Sequence, residues 1–213
     1  MKKFIGLFIL FFSYQFIACQ NQVAIDDIKN APKYSAADTL YADVYKILDG
    51  TWKGQFLIYK DQKRKTKSGI ELKDLSAGIF KNKNFKLINK IDVTQVYKSE
   101  SPYFQRVTIT DFYPETGKKE ISIGVNKIQD GKMWCVVRKP GERVIHKGST
   151  EGEHTIIWQR NESSPQRIEY FKETVGDDYY EIIGWGYYEG DDVKLSPPLW
   201  FYAKYERERL NKN

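Results

Sequence analysis

From Thr51 to the last residues of the chain, apolar side chains recur at every second position, and no later stretch returns to a three- and four-residue spacing. A period of two puts alternate residues on opposite faces of a strand, whereas a helix needs a period near 3.6, so this feature fixes the fold class as all-β. In TWKGQFLIYK, Trp52, Gly54, Phe56 and Ile58 share a face. In FKLINKIDVTQVYK, residues 85 to 98, Phe85, Leu87, Ile91, Val93 and Tyr97 align on one side, in a strand too long for a small flat sheet. YFQRVTITDFY, ISIGVNKI, KMWCVVRK, HTIIWQRN, RIEYFKETV, YYEIIGWGYY and LWFYAKYERE follow, separated by PETG, QDGK, KPGE, NESSP, VGDD and EGDDVKLSPP. These glycine-, proline- and aspartate-rich dividers are turn signals, and the spacing predicts an up-and-down meander of about nine or ten strands.

A sheet of that many antiparallel strands accumulates twist and must hide its edges, and closure into a barrel solves both problems. The sequence therefore predicts an antiparallel up-and-down β-barrel of about 8–10 strands with a short N-terminal helix, with a β-sandwich as the structural alternative. Gly124, Gly184 and Gly186, inside strand patterns, mark places where strands bend sharply. Aromatic residues, 15% of the chain, favour strands as well.

The N-terminal region reads differently. Lys2 and Lys3, an apolar run from Phe4 to Phe12, and Ala18 before Cys19 form a secretory signal over residues 1–18, too short for a stable membrane-spanning helix. The ending Phe16-Ile17-Ala18-Cys19 resembles a bacterial lipobox, with Phe16 where leucine is usual. That resemblance implies diacylation of Cys19 and a membrane anchor through lipid. Gln20 is not the aspartate that retains many such lipoproteins in the inner membrane, so the expected location is the outer membrane of a two-membrane cell. With Cys19 lipidated, Cys135 has no disulfide partner, and its place in MWCVV suits a small buried hydrophobe better than a nucleophile. Residues 19–34 read as a polar tether. SAADTLYADVYKILDG follows as a helix, with a capping box at Ser35 and Asp38 and Gly50 at its end. Residues 35–213 then make one domain, expected as a monomer. The formal charge of +6 falls to +4 without Lys2 and Lys3, too little to argue for nucleic acid.

A short helix, then Gly50-Thr51-Trp52 opening the first strand, then a long antiparallel run resembles the lipocalin-like, or calycin, superfamily. In that superfamily a Gly-x-Trp motif follows a helical plug, and its tryptophan packs against a basic residue of the last strand. The resemblance covers Ala37 to the C-terminus and implies barrel closure by Gly50 and Trp52 with Arg207, Arg209 or Lys204. It further implies a small hydrophobic ligand, such as an acyl chain, an isoprenoid or a tetrapyrrole, carried at the cell envelope. Candidate lining residues are Trp52, Phe56, Tyr97, Trp134, Trp158 and Trp185. Some relatives bind haem through one histidine, which makes His146 and His154 weak haem candidates. No cofactor or metal site is predicted, because neither histidine sits in a recognisable ligand spacing.

No nucleophile, base and orienter can be chosen from the scattered serines and two histidines, so no catalytic residue is assigned. A calycin-type isomerase or lyase remains an alternative, as does a protein- or glycan-binding envelope module with a filled barrel. Asp177-Asp178 and Asp191-Asp192 each follow a glycine and suit turns. KDQKRKTK, residues 60 to 67, is a solvated hairpin loop or a patch for anionic headgroups.

Overall fold

A computed structural model describes residues 23–64 and 75–209. The signal segment 1–18, Cys19 and the second half of the basic run, including Lys65 and Lys67, lie outside the described residues. Within the described residues ten antiparallel strands close into one barrel. They are β1 (Gly50–Asp61), β2 (Phe85–Ser101), β3 (Phe104–Tyr113), β4 (Lys118–Gln129) and β5 (Lys132–Lys139), then β6 (Glu142–Thr150), β7 (Thr155–Ser163), β8 (Gln166–Val175), β9 (Tyr179–Tyr187) and β10 (Leu199–Arg207). Each strand pairs with its sequence neighbour, and β1 pairs with β10 to complete the ring. The tight turns sit where the sequence places glycine after threonine, aspartate or proline: Gly117, Gly131 and Gly141 all adopt positive φ.

Register divides the side chains. Trp52, Phe56 and Ile58 oppose Arg207, Ala203 and Phe201, and this face points inward. A bulge between Ile58 and Tyr59 reverses the parity of the strand ends. The predicted single face of residues 85 to 98 is thereby split. Ile91, Val93 and Tyr97 stay inside, while Phe85 turns to an outer cluster with Tyr59, Trp185 and Trp200. The segment Leu75–Phe85 lies over that cluster, with Phe80 stacked on Tyr59 at 4.5 Å.

The predicted helix resolves into two 3₁₀ segments, Ala36–Tyr41 and Lys46–Leu48. Its capping box forms, the Asp38 carboxylate accepting from Ser35 N–H at 2.6 Å and Ser35 O–H at 2.8 Å. Between the segments Asp43 takes φ 60°, and its N–H donates to the Pro102 carbonyl rather than to a preceding turn. A tertiary hydrogen bond wins over a helix too short to be stable by itself.

Within the segment read as a tether, residues 23–30 lie along the outer wall: the Lys127 ammonium donates to the Ala24 and Asp27 carbonyls, both at 3.0 Å. Gln129 donates to Val23 O, Arg106 donates to Ile28 O and Lys29 O, and Ile28 packs with Phe104, Val125 and Val136.

Candidate functional site

One end of the barrel is closed. Tyr45, Leu48 and Trp52 are buried there, and the Trp52 indole N–H donates to Leu48 O at 2.7 Å. The Arg207 guanidinium lies 4.2 Å over the Trp52 ring. It donates to the carbonyls of Ile47, Asp49 and Asp177, so a single cation ties the last strand to both plug and first strand. Gly50, at φ 123°, leads into this contact: a Cβ there would stand 3.3 Å from the Arg207 guanidinium. Arg209 is exposed and pairs instead with Asp178. A polar network completes the floor. Gln105 donates to Tyr45 O and to the Asp49 carboxylate, Asn126 donates to Gln105, and Ser99 donates to Asp49 through both N–H and O–H. Asp38 reaches from the plug to accept from Gly131 N–H at 2.7 Å.

Above the floor the ring encloses a lumen. Phe56, Ile58, Ile109, Asp111, Cys135, Phe171 and Glu173 face inward by register yet are only half-buried. In a filled barrel such residues lose nearly all accessible surface to one another; here they face a space that water can enter. Glycines keep that space open to large neighbours. A Cβ on Gly184 would stand 2.5 Å from the Phe171 ring, and one on Gly148 would stand 2.5 Å from the Trp158 ring.

Trp52, Phe56, Tyr97 and Trp158 occupy inward positions, and three phenylalanines run along the wall. Phe56 and Phe171 each stack on Phe201, at 5.7 Å and 5.4 Å. Trp134 and Trp185 do not line the lumen. Met133 takes the inner position beside Trp134, and Trp185 stacks outside on Tyr170 at 5.7 Å. For both, the apolar run includes consecutive large residues, and hydrophobicity alone does not say which parity points inward.

The lumen also carries polar groups that periodicity passed over. The Glu173 carboxylate accepts from the Trp158 indole N–H and the Tyr180 hydroxyl, while burial raises its pKa to about 7. Tyr97 donates to Gln95 at 2.7 Å and lies 3.4 Å from the Tyr180 hydroxyl. The Tyr205 hydroxyl is fully buried and has no hydrogen-bond partner among the described residues. Burial raises Asp111, and it pushes the Cys135 thiol well up, which leaves that sulfur a protonated wall atom rather than a nucleophile. The signal was present in RIEYFKETV, where Glu169, Phe171, Glu173 and Val175 share one parity.

The opposite end of the barrel is charged. β6 and β7 pair only over Lys147–Thr150 and Ile156–Gln159, and side chains bridge the gap beyond. Arg160 contacts Glu142 and Glu162 at 2.9 Å and Glu169 at 3.5 Å, and Arg167 joins Glu142. Burial would raise Glu169, but His146, Tyr188 and Arg160 around it hold its carboxyl down at about 2. His146 therefore sits within this cluster, 3.3 Å from Glu169, whereas His154 lies exposed in the turn before β7. Among the described residues no three potential metal ligands converge. On the outside a groove of about 720 Å³ runs along the same seam, lined in part by Ile157, Ile168, Tyr170, Trp185, Arg160 and Glu169. Arg64 of the basic run is pinned by the Ser196 and Asp192 carbonyls, both at 2.7 Å, which takes it out of a free cationic patch.

No protein-family model matches the chain, and no curated protein matches it. Solved structures with a similar course include designed barrels. A redesigned β-barrel, b11L5F_LGL, is 10% identical with a TM-score of 0.37, covering 79% of this chain and 97% of its own. A redesigned barrel, mFAP1, bound to DFHBI, is 9% identical with a TM-score of 0.36, covering 78% and 100%. A fluorescence-activating β-barrel designed de novo is also 9% identical at a TM-score of 0.36, covering 78% and 98%.

Proposed function

We propose that this chain is an exported, lipid-anchored protein whose lipocalin-like barrel binds a small, largely hydrophobic molecule at the cell envelope. One observation carries the binding reading. The barrel has a plugged, hydrogen-bonded floor, yet inward-facing Phe56, Ile58, Ile109 and Phe171 keep accessible surface above it. Apolar surface held open to water costs about 25 cal/mol per Å², so a wall of this kind gains when a guest covers it. Support for the anchor comes from residues 1–20 alone, with Cys19 as the lipidated residue and Gln20 favouring the outer membrane as its destination.

The test begins with protein purified without detergent from the envelope of a producing cell. Mass spectrometry of an organic extract should find an apolar compound in near-stoichiometric amount, reduced in Trp158→Ala. An empty protein that takes up no apolar fluorophore would overturn the binding reading. Intact mass should show a diacylglycerol adduct, absent in Cys19→Ala; an unmodified Cys19 in the wild type would remove the anchor.

A second reading, a protein-binding envelope module, draws on the outer face of β2–β4. Val96, Phe112, Ile121 and Ile123 are 40–55% exposed there, set among Thr108, Thr110, Asp92 and Lys119 of the same face. A barrel that excludes every small probe but retains a partner in the envelope would favour it.

A further inference from the structure

The proposal above leaves the guest's chemistry open, and the polar groups of the lumen narrow it. Glu173 stands in the wall of β8 between Ile156 of β7 and Ile182 of β9. The groups that act on its carboxylate are two neutral donors, Trp158 and Tyr180, and no cation. Asp111 of β3 also faces inward, and burial disfavours its charge although Lys139 acts in the opposite sense, while Glu169, further along the wall, is held by the charged cluster. Arg160, the inward guanidinium, is already engaged by Glu142, Glu162 and Glu169. A carboxylate guest would thus meet Glu173 with no cation acting on it among the described residues, since the Lys139 charge that acts on Asp111 and Cys135 sits at the exposed end of β5. Around Glu173 are aromatic rings, Trp158, Tyr180, Phe171 and Phe201, whose faces attract cations. Tyr205, 0% exposed, adds a hydroxyl with no partner among the described residues, an independent sign that a polar ligand atom belongs at this depth.

Resting on the reading of the lumen as a binding site, we propose that its guest is a hydrophobic amine: a ring or chain bearing a protonated nitrogen, seated against Glu173 and the Tyr205 hydroxyl. Such a guest supplies the charge that Glu173 lacks and the partner that Tyr205 lacks, and its apolar body covers the phenylalanine wall. A neutral compound would need Glu173 protonated, and an acyl carboxylate would be repelled.

Binding should depend on pH through Glu173. The titratable and charged groups facing it are Tyr180 of β9, Tyr205 of β10, Tyr97 of β2, Asp111 of β3, Cys135 of β5 and, further along the wall, Lys139 of β5, His146 of β6 and Glu169 of its own strand. Burial pushes the tyrosine hydroxyls and the thiol well up, so they stay protonated between pH 5 and 8. With the free carboxyl near pH 7, the competent fraction falls by roughly 30-fold between pH 8 and 5.5, and affinity for an amine falls with it.

The full chain, tested with 2-(1-naphthyl)ethylamine, 2-(1-naphthyl)ethanol and 1-naphthylacetate by calorimetry and tryptophan quenching, separates the possibilities. The amine should bind at least tenfold tighter than the alcohol at pH 8, with acetate weakest. The preference should vanish in Glu173→Gln, persist in His146→Gln, and weaken toward pH 5.5 in the unmodified chain. Equal binding of amine and alcohol with no pH dependence would overturn this inference and leave the lumen a binding site. Failure of all three probes would overturn both. Should Glu173→Gln not fold, the pH profile of the unmodified chain and Tyr205→Phe, expected to lose amine affinity about tenfold, decide the matter.

Discussion

Replacing Arg207 by alanine probes the floor of the barrel. The change removes a guanidinium 4.2 Å above the Trp52 ring together with its donations to Ile47, Asp49 and Asp177 carbonyls. A partly desolvated cation–π contact contributes about 1–2 kcal/mol. The bonds to Ile47 and Asp49 are half-buried, and a charged donor on a shielded carbonyl nets about 1 kcal/mol each. The Asp177 bond is exposed and water replaces it at little cost. Together the loss should come to about 3 kcal/mol, or roughly 6–12 °C in Tm for a chain of this size. Urea unfolding followed by tryptophan fluorescence and far-UV circular dichroism measures it. Arg207→Lys keeps a charge over the ring without the planar fork and should fall between the two. Arg209→Ala, whose partner Asp178 is also largely exposed, should stay within about 0.5 kcal/mol. A loss below about 1 kcal/mol for Arg207→Ala, or an equal loss for Arg209→Ala, would show that the cation does not hold the plug.

Glu173, raised to about 7, is protonated in the folded state while the unfolded carboxyl already ionises near pH 4.5. The unfolded chain binds fewer protons over that window, so stability falls as pH rises from 4.5 to 7, by up to about 3 kcal/mol in all. Glu173→Gln should remove that slope in pH-dependent urea melts. Glu169, lowered to about 2, acts in the opposite sense: its contribution is present above pH 4.5 and disappears as the pH falls toward 2. Glu169→Gln should therefore destabilise at neutral pH and flatten the acid limb of the same melts. Gly148→Ala places a Cβ 2.5 Å from the Trp158 ring and 2.8 Å from Met133, and should cost about 1–3 kcal/mol by thermal melt. Trp185→Ala should destabilise by about 3–5 kcal/mol while leaving probe uptake in the lumen intact; Trp158→Ala should abolish uptake, and a reversed pattern would place the site outside the barrel.

Alternation carried most of the architecture. Because the side-chain period of a strand is two, the meander, its turns and the inward run of Trp52, Phe56 and Ile58 were legible without coordinates. Parity was less so. Trp134 and Trp185 each neighbour other apolar residues, and one bulge at Ile58 and Tyr59 was enough to send Phe85 to the other side. The strap at residues 23–30 left no periodic trace, since it is held by its own carbonyls accepting from Lys127, Gln129 and Arg106. Glu173 was passed over for a different reason: its parity with Phe171 and Val175 is in the sequence, but an acidic residue in a strand reads as solvent-facing until the register shows that this face points inward.

The short pairing of β6 with β7 has a mechanical side. A ring parted at one interface is still a continuous slab, and the β6–β7 interface has the shortest ladder of the ring to give up. The edges so freed would be templates for a neighbouring chain. Glu142 stands on the β6 edge and Arg160 on the β7 edge, with Arg167 reaching Glu142 from β8, and an incoming strand that lacks those charges would leave them stranded. The hoop is latched by groups that also make its broken ends poor partners for anything except each other.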